Sequence, residues 1–301
     1  MLRRRSFVRT IAAIGFLCGM LLIYGCSQAA PPTELTGRIA FAAREGFHAW
    51  TIWVMNADGS NARKLSTSGY NEEEPAWSPN GTKIAYERYN GHRVIHIMDA
   101  DGTELGPLTD GTSDSYQPAW SPDGTQIVFG STRDKAFEIY RMNADGTNAE
   151  RLTYTEQPDS ENYWPAWSPD GKRIAFNGVR GADLNIYALD LDSRDIQRLT
   201  EHPETGTALS WSPDGEWIAF VSSRDGNAEI YIMRSDGSEQ RRVTNDPAQD
   251  WSPTWSPDGK YIAFESHQGG ESRIVVTDIS GSVRWELTSS GGYSAMPSWT
   301  E

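Results

Sequence analysis

Beyond residue 36 the chain alternates short apolar runs with small polar turns, and the runs have strand length. One set reads Ile84-Ala85-Tyr86, Ile127-Val128-Phe129, Ile174-Ala175-Phe176, Ile218-Ala219-Phe220 and Ile262-Ala263-Phe264. A second set reads Glu138-Ile139-Tyr140-Arg141-Met142, Asn185-Ile186-Tyr187 and Glu229-Ile230-Tyr231-Ile232-Met233. A Pro-Asp-Gly turn precedes the first set and an Ala-Asp-Gly turn follows the second; Pro presets φ and Gly takes the left-handed position. A closing Leu-Thr or Val-Thr follows, as at Leu152-Thr153 and Val243-Thr244. Runs rich in β-branched and aromatic residues, punctuated by Asp-Gly, predict strands joined by hairpins. No helical period competes with them between Glu34 and the C-terminus.

The pattern repeats. Trp77, Trp120, Trp167, Trp211, Trp255 and Trp299 recur every 43 to 47 residues, five of them opening a Trp-Ser-Pro-Asp/Asn-Gly segment. Four-stranded units at this period bury their apolar faces only against neighbours and predict a β-propeller. The first unit, Gly37-Arg38-Ile39-Ala40-Phe41 onward, lacks the Trp strand, and the last, Met296-Pro297-Ser298-Trp299, is only that strand. Pairing them would close the ring without a bare sheet edge. The expectation is an all-β fold: a six-bladed β-propeller of four-stranded antiparallel blades over 36–301.

The set Trp-Ser-Pro-Asp-Gly-x-x-Ile-Ala-Phe, Ile-Tyr-x-Met-Asn-Ala-Asp-Gly and Arg-Leu-Thr resembles the propeller repeats of the TolB family over nearly all of 36–301. Similar repeats occur in tricorn-type and prolyl-oligopeptidase-type proteases and in oligogalacturonate lyases. The resemblance implies a propeller used for envelope interactions. TolB carries an α/β domain ahead of its propeller; none is expected here, nor a hydrolase domain behind it.

The first 26 residues resemble an export signal: Arg3, Arg4, Arg5 and Arg9, then an apolar stretch from Ile11 to Tyr24. That stretch is shorter than the ~20 residues of a spanning helix. Arg4-Arg5-Ser6-Phe7-Val8 resembles a twin-arginine pattern, and Ile23-Tyr24-Gly25-Cys26 a lipobox, with Tyr24 departing from the usual small residue. Cys26 is the expected lipidation site, residues 27–35 a tether, and the propeller extracytoplasmic and membrane-anchored. Cys18 and Cys26 are the only cysteines, which excludes disulfides and thiolate metal sites from the ring. Four of the 27 basic residues and none of the 41 acidic ones lie in the leader, so the remainder carries −18. Such a charge argues against nucleic acid and anionic lipid surfaces. A monomer without cofactor is expected.

Strand order puts the Asp-Gly turns on one face and the variable connections on the other, where binding residues usually sit. Connections into the Trp strand supply the candidate site: Glu73, Asp114, Tyr116, Glu161, Tyr163, Trp164, Asp250, Trp251 and Tyr293, with Glu72 beside them. Aromatic faces beside carboxylates suit a sugar, a peptide or a cation. Loops after the second strand add Arg44, Arg88, His92, Arg133, Arg180, Arg224 and His267, which could equally pair structurally. The recurring Trp reads as core.

Catalytic signatures are weak. Asp99-Ala100-Asp101-Gly102 lacks the Glu of an EF-type loop and reads as a hairpin turn. His48, His92, His96, His202 and His267 are scattered, and no Gly-x-Ser-x-Gly elbow occurs. The repeat around Trp211 deviates, with Leu209 in place of Pro and Thr205-Gly206-Thr207-Ala208 ahead of it. The reading is a non-catalytic scaffold for an envelope protein, cell-wall component or small ligand. The alternative is an extracytoplasmic lyase or hydrolase acting on a carbohydrate or lactone at the channel mouth.

Overall fold

The computed structural model describes residues 35–155, 160–201, 208–289 and 291–301. The expected leader, including Cys26, and the tether up to residue 34 lie outside the described residues, as do His202 and 205–207, while Leu35, the last tether residue, is buried in the core.

Strands β4 (Asn71–Trp77), β5 (Lys83–Tyr89), β6 (Arg93–Asp99) and β7 (Glu104–Pro107) form one four-stranded antiparallel sheet. The same order recurs in β8 (Ser115–Trp120), β9 (Gln126–Ser131), β10 (Glu138–Asn143) and β11 (Glu150–Arg151). It recurs again in β12 (Ser160–Trp167), β13 (Arg173–Arg180), β14 (Asp183–Asp190) and β15 (Ile196–Arg198). A further copy is β16 (Ser210–Trp211), β17 (Trp217–Ser222), β18 (Glu229–Arg234) and β19 (Arg241–Arg242).

The remaining strands make one eight-stranded sheet. Half of it is β20 (Gln249–Trp255), β21 (Tyr261–Gln268), β22 (Glu271–Asp278) and β23 (Arg284–Glu286). The other half runs β24 (Tyr293–Thr300), β1 (Arg38–Arg44), β2 (Thr51–Asn56) and β3 (Arg63–Lys64). A single parallel bridge, Ser272 to Tyr293, joins the halves. The first strand thus pairs antiparallel with the last, Arg38 opposite Thr300 and Arg44 opposite Tyr293. Propeller blades are such four-stranded sheets, and the chain's two ends share one of them.

Each recurring motif has a local task. In the Trp-Ser-Pro-Asp-Gly turn the Ser hydroxyl donates to the Asp carboxylate, as from Ser121 to Asp123 at 2.6 Å, and accepts the Gln126 N–H at 2.9 Å. One side chain therefore closes the turn from within. The Thr of Leu-Thr accepts a backbone N–H from the third strand: Ile95 to Thr109 at 3.0 Å, Ile139 to Thr153 at 2.9 Å, Ile230 to Thr244 at 2.9 Å. This ties down outer strands as short as two residues, such as β11 and β19.

The Trp side chains join neighbouring sheets. Trp120 Nε1 donates to the Ala76 carbonyl at 3.1 Å, Trp211 to Ala166 at 3.2 Å and Trp255 to Ser210 at 3.1 Å. Trp77, Trp211, Trp255 and Trp299 are buried, in agreement with the core reading, while Trp120 and Trp167 are partly buried and packed against the core. The core is divided into slabs between sheets; one packs Trp211, Phe220 and Tyr231 against Ala175 and Ile186 of the preceding sheet. Stability therefore passes from neighbour to neighbour.

Removing residues 293–301 strips β24 from β1 and removes Trp299 from its slab. Such a chain should lose its cooperative unfolding transition, monitored by circular dichroism against urea. An unchanged transition would show that the terminal pairing is dispensable.

Candidate functional site

Glu74, Gln117, Trp164, Ser252 and Met296 each stand three residues before the Trp and directly before a Pro, and all have φ between 48° and 55°. Each places a register shift in its strand, for example between Tyr116 and Ala119 or between Trp251 and Thr254. Proline prevents continuation of the ladder there, and the bulge turns the residue before it off the sheet. These residues, with Ala208 and the prolines, line a central channel of about 270 Å³ between β4, β8, β12, β16, β20 and β24. Where Leu209 replaces Pro, β16 is two residues long.

One wall of the channel mouth is acidic. Arg93 Nη1 donates to Glu73 at 2.8 Å and to Glu87 at 2.7 Å. Glu87 also accepts the Gln117 N–H at 2.6 Å, and Glu265 accepts the Met296 N–H at 3.3 Å. A carboxylate on one sheet thus holds the left-handed residue of a neighbouring strand. Gln117 does this with its own side chain, accepting the Trp164 N–H at 3.4 Å beside Gly130. His267 pairs with Glu265.

The next sector is aromatic. Tyr116 packs on Phe137 with centroids 4.7 Å apart, Phe137 on Tyr163 at 6.3 Å, and Tyr163 on Trp164 at 5.1 Å. Arg93 lies 5.5 Å from the Tyr116 centroid and connects the two sectors. Burial, followed by the Asp114 charge, raises the Tyr116 hydroxyl to about 12. Tyr116 therefore stays a neutral donor, 3.2 Å from Asp114, which also accepts the Arg93 N–H at 2.8 Å.

Most of the residues expected from the sequence meet in these two sectors: Glu73, Asp114, Tyr116, Tyr163 and Trp164. Glu161 is exposed, and only its carbonyl is engaged, by Arg180 at 3.2 Å. Asp250 is completely buried beside Arg284, and burial lifts its carboxyl to about 6. Trp251 packs on the slab around Phe264 and Trp255. Tyr293 belongs to a separate cluster with Arg44 and Trp50. Glu72 is buried against Arg88 at 2.7 Å. Arg133 and Arg224 stack on Phe129–Tyr140 and Phe220–Tyr231, the structural alternative left open by the sequence.

Glu74, Glu87, Glu265, Phe137 and Gln117 were not anticipated. One signal was available: Glu87 and Glu265 break the apolar second strand, where other repeats carry Ala42, Gly130, Asn177 or Val221. A larger cleft of about 760 Å³ opens on the turn face, between Pro79, Leu105, Pro107 and Pro122, where Gly106-Pro107 replace the Arg63-Lys64 of the terminal sheet. Among the described residues no group of three or more His, Cys, Asp or Glu is arranged to hold a metal ion.

The TolB beta propeller domain model matches residues 87–164 and 165–301. The chain belongs to the TolB beta-propeller family. A curated Tol-Pal system protein TolB from Coxiella burnetii is 44% identical over 45 residues, which is 15% of this chain and only 10% of that protein. The crystal structure of TolB from Acinetobacter baumannii is 27% identical with a TM-score of 0.77, covering 89% of this chain and 68% of that one. A putative TolB structure from Agrobacterium tumefaciens, 23% identical, has the same fold with a TM-score of 0.71 over 88% of this chain and 99% of its own.

The acidic wall of this TolB-family propeller gives it a distinctive pH response. Burial is the largest influence on Glu87 and raises its carboxyl from 4.5 to about 7, against the pull of Arg93 and the Gln117 N–H. Glu74 is raised by burial and then by Glu87, Glu73 and Glu265. A carboxyl that holds its proton more tightly folded than unfolded stabilises the fold at acid pH and loses that contribution as pH rises from 4.5 towards 7. The melting temperature should fall by about 5 °C between pH 5 and pH 7.5. Glu87→Gln should flatten that slope; an identical slope in the variant would refute the assignment.

Proposed function

We propose that the chain is an extracytoplasmic binding scaffold of a Tol-Pal-type assembly, anchored through lipid on Cys26. Counting the eight-stranded sheet as two blades makes it a six-bladed ring over 36–301. The face away from its Asp-Gly turns meets an envelope protein or cell-wall component. The observation that carries this reading is the continuous row Tyr116–Phe137–Tyr163–Trp164 beside the Glu73–Glu87–Arg93 wall. Aromatic anchors next to fixed charges are the composition of a recognition surface. At about 270 Å³ the channel falls below the ~300–1,000 Å³ of small-molecule pockets, which favours a protein segment laid across its mouth. Family membership supports the same reading by analogy of fold.

The test is covalent capture in native envelopes, comparing wild type with a Tyr163→Ala, Trp164→Gly variant. Glycine suits the left-handed backbone at position 164, so the change removes the ring without straining the chain. One dominant partner, reduced at least about tenfold in the variant, is expected, since aromatic anchors are typical hot spots. The same partner retained by a normally melting variant would remove the aromatic row from the interface. Turnover of an oligosaccharide by purified protein would favour the lyase alternative.

A further inference from the structure

Arg44 is unlike the other arginines. Every other arginine among the described residues donates at least one side-chain hydrogen bond. The guanidinium of Arg44 donates none, and its Nε is buried without an acceptor. Instead it sits in the corner where the Trp50 and Tyr293 rings meet edge to face, 4.8 Å from the Trp50 centroid and 4.5 Å from that of Tyr293. Arg88, Arg133, Arg180 and Arg224, which follow the second strand as Arg44 does, stack on rings of their own sheets and are also hydrogen-bonded.

The cage is preformed. Trp50 is fixed to the next sheet through both backbone groups: its N–H donates to Asn71 Oδ1 and its carbonyl accepts the Glu72 N–H, each at 3.0 Å. Tyr293 lies opposite Arg44 in the β1–β24 ladder and bridges to Ser272. Glu45, next in the chain, is exposed and forms no ion pair with Arg44. In a chain of formal charge −14, a half-buried cation without a carboxylate is an exception, and its accessible Nη atoms can take an acceptor from outside.

We propose that Arg44, Trp50 and Tyr293 form a binding site for one carboxylate of a peptide partner. Of the Arg44 nitrogens only Nε is buried without an acceptor, so the Nη1–Nη2 pair stays accessible for two parallel N–H···O bonds to a carboxylate. Phe47 is fully exposed on the same loop and offers an apolar contact to the residue beside the acid. The occupant is therefore an acidic residue flanked by apolar side chains. Only the choice of a peptide rests on the scaffold reading above; the carboxylate chemistry is independent of it.

The test uses the purified chain with 15N-labelled tryptophan, following the Trp50 indole N–H by NMR. The probes are the peptide Ac-Leu-Glu-Leu-NH2, its amide isostere Ac-Leu-Gln-Leu-NH2, and sodium glucuronate. The Glu peptide should bind at least about tenfold more tightly than the Gln peptide, as expected for a charge-assisted bidentate contact. Arg44→Gln should abolish that preference with an unchanged melt. Arg44→Lys, which keeps the charge but not the fork, should lose most of it and serves as the readout if the Gln variant misfolds. Equal binding of the two peptides, or a preference that survives in the variants, overturns the site. Glucuronate binding as tightly as the Glu peptide overturns the choice of a peptide. Because the probe is defined, failure here is distinct from failure to capture a native partner.

Discussion

The pairing of β1 with β24 is the constraint on which the rest of the molecule depends. Each sheet buries its faces only against its neighbours, so a ring with an open seam leaves two slabs of core half covered and two strand edges bare. Closing it with the first and last strands makes every other slab contingent on contacts between residues about 260 apart, such as Trp299 Nε1 on the Thr36 carbonyl at 3.0 Å. The same closure sets Arg44 opposite Tyr293 and brings the Met296 N–H to Glu265. One packing requirement therefore positions both the Arg44 cluster and part of the channel lining.

Within each blade the repeated residues act locally. The Ser–Asp pair closes its own turn, the Thr hydroxyl pins its own outer strand, and Pro forces its own bulge. Function begins where the repeats differ. Two second strands exchange an apolar residue for Glu87 and Glu265, one connection contributes Phe137, and one arginine lacks the acceptor its counterparts have. The ring repeats what closes its turns and strands, and varies residues around the channel, buried Glu87 and Glu265 among them.

This division explains what was legible. Strand positions, turn chemistry and terminal closure could be read because each follows from a few adjacent residues. Tyr116, Tyr163 and Trp164 could be picked out because they stand three or four residues before the recurring Trp, where the repeats vary. Asp250 stood close by, five residues before Trp255, but it is completely buried beside Arg284 from another strand of its sheet, a relation that spacing alone does not encode. Glu87 and Glu265 were hidden for a similar reason: their partners, Gln117 and Met296, lie in neighbouring strands many residues away. Arg44 stood in a row of look-alike arginines, and only the surroundings of all of them set it apart.

Native-state hydrogen exchange tests the closure account most directly. If the terminal pairing completes one cooperative ring, the paired amides of β1 and β24 exchange only through global unfolding, as slowly as those of β17 and β18. Exchange of β1 and β24 about a hundredfold faster than that of β17 and β18 would mean that the seam opens on its own, and would contradict the account.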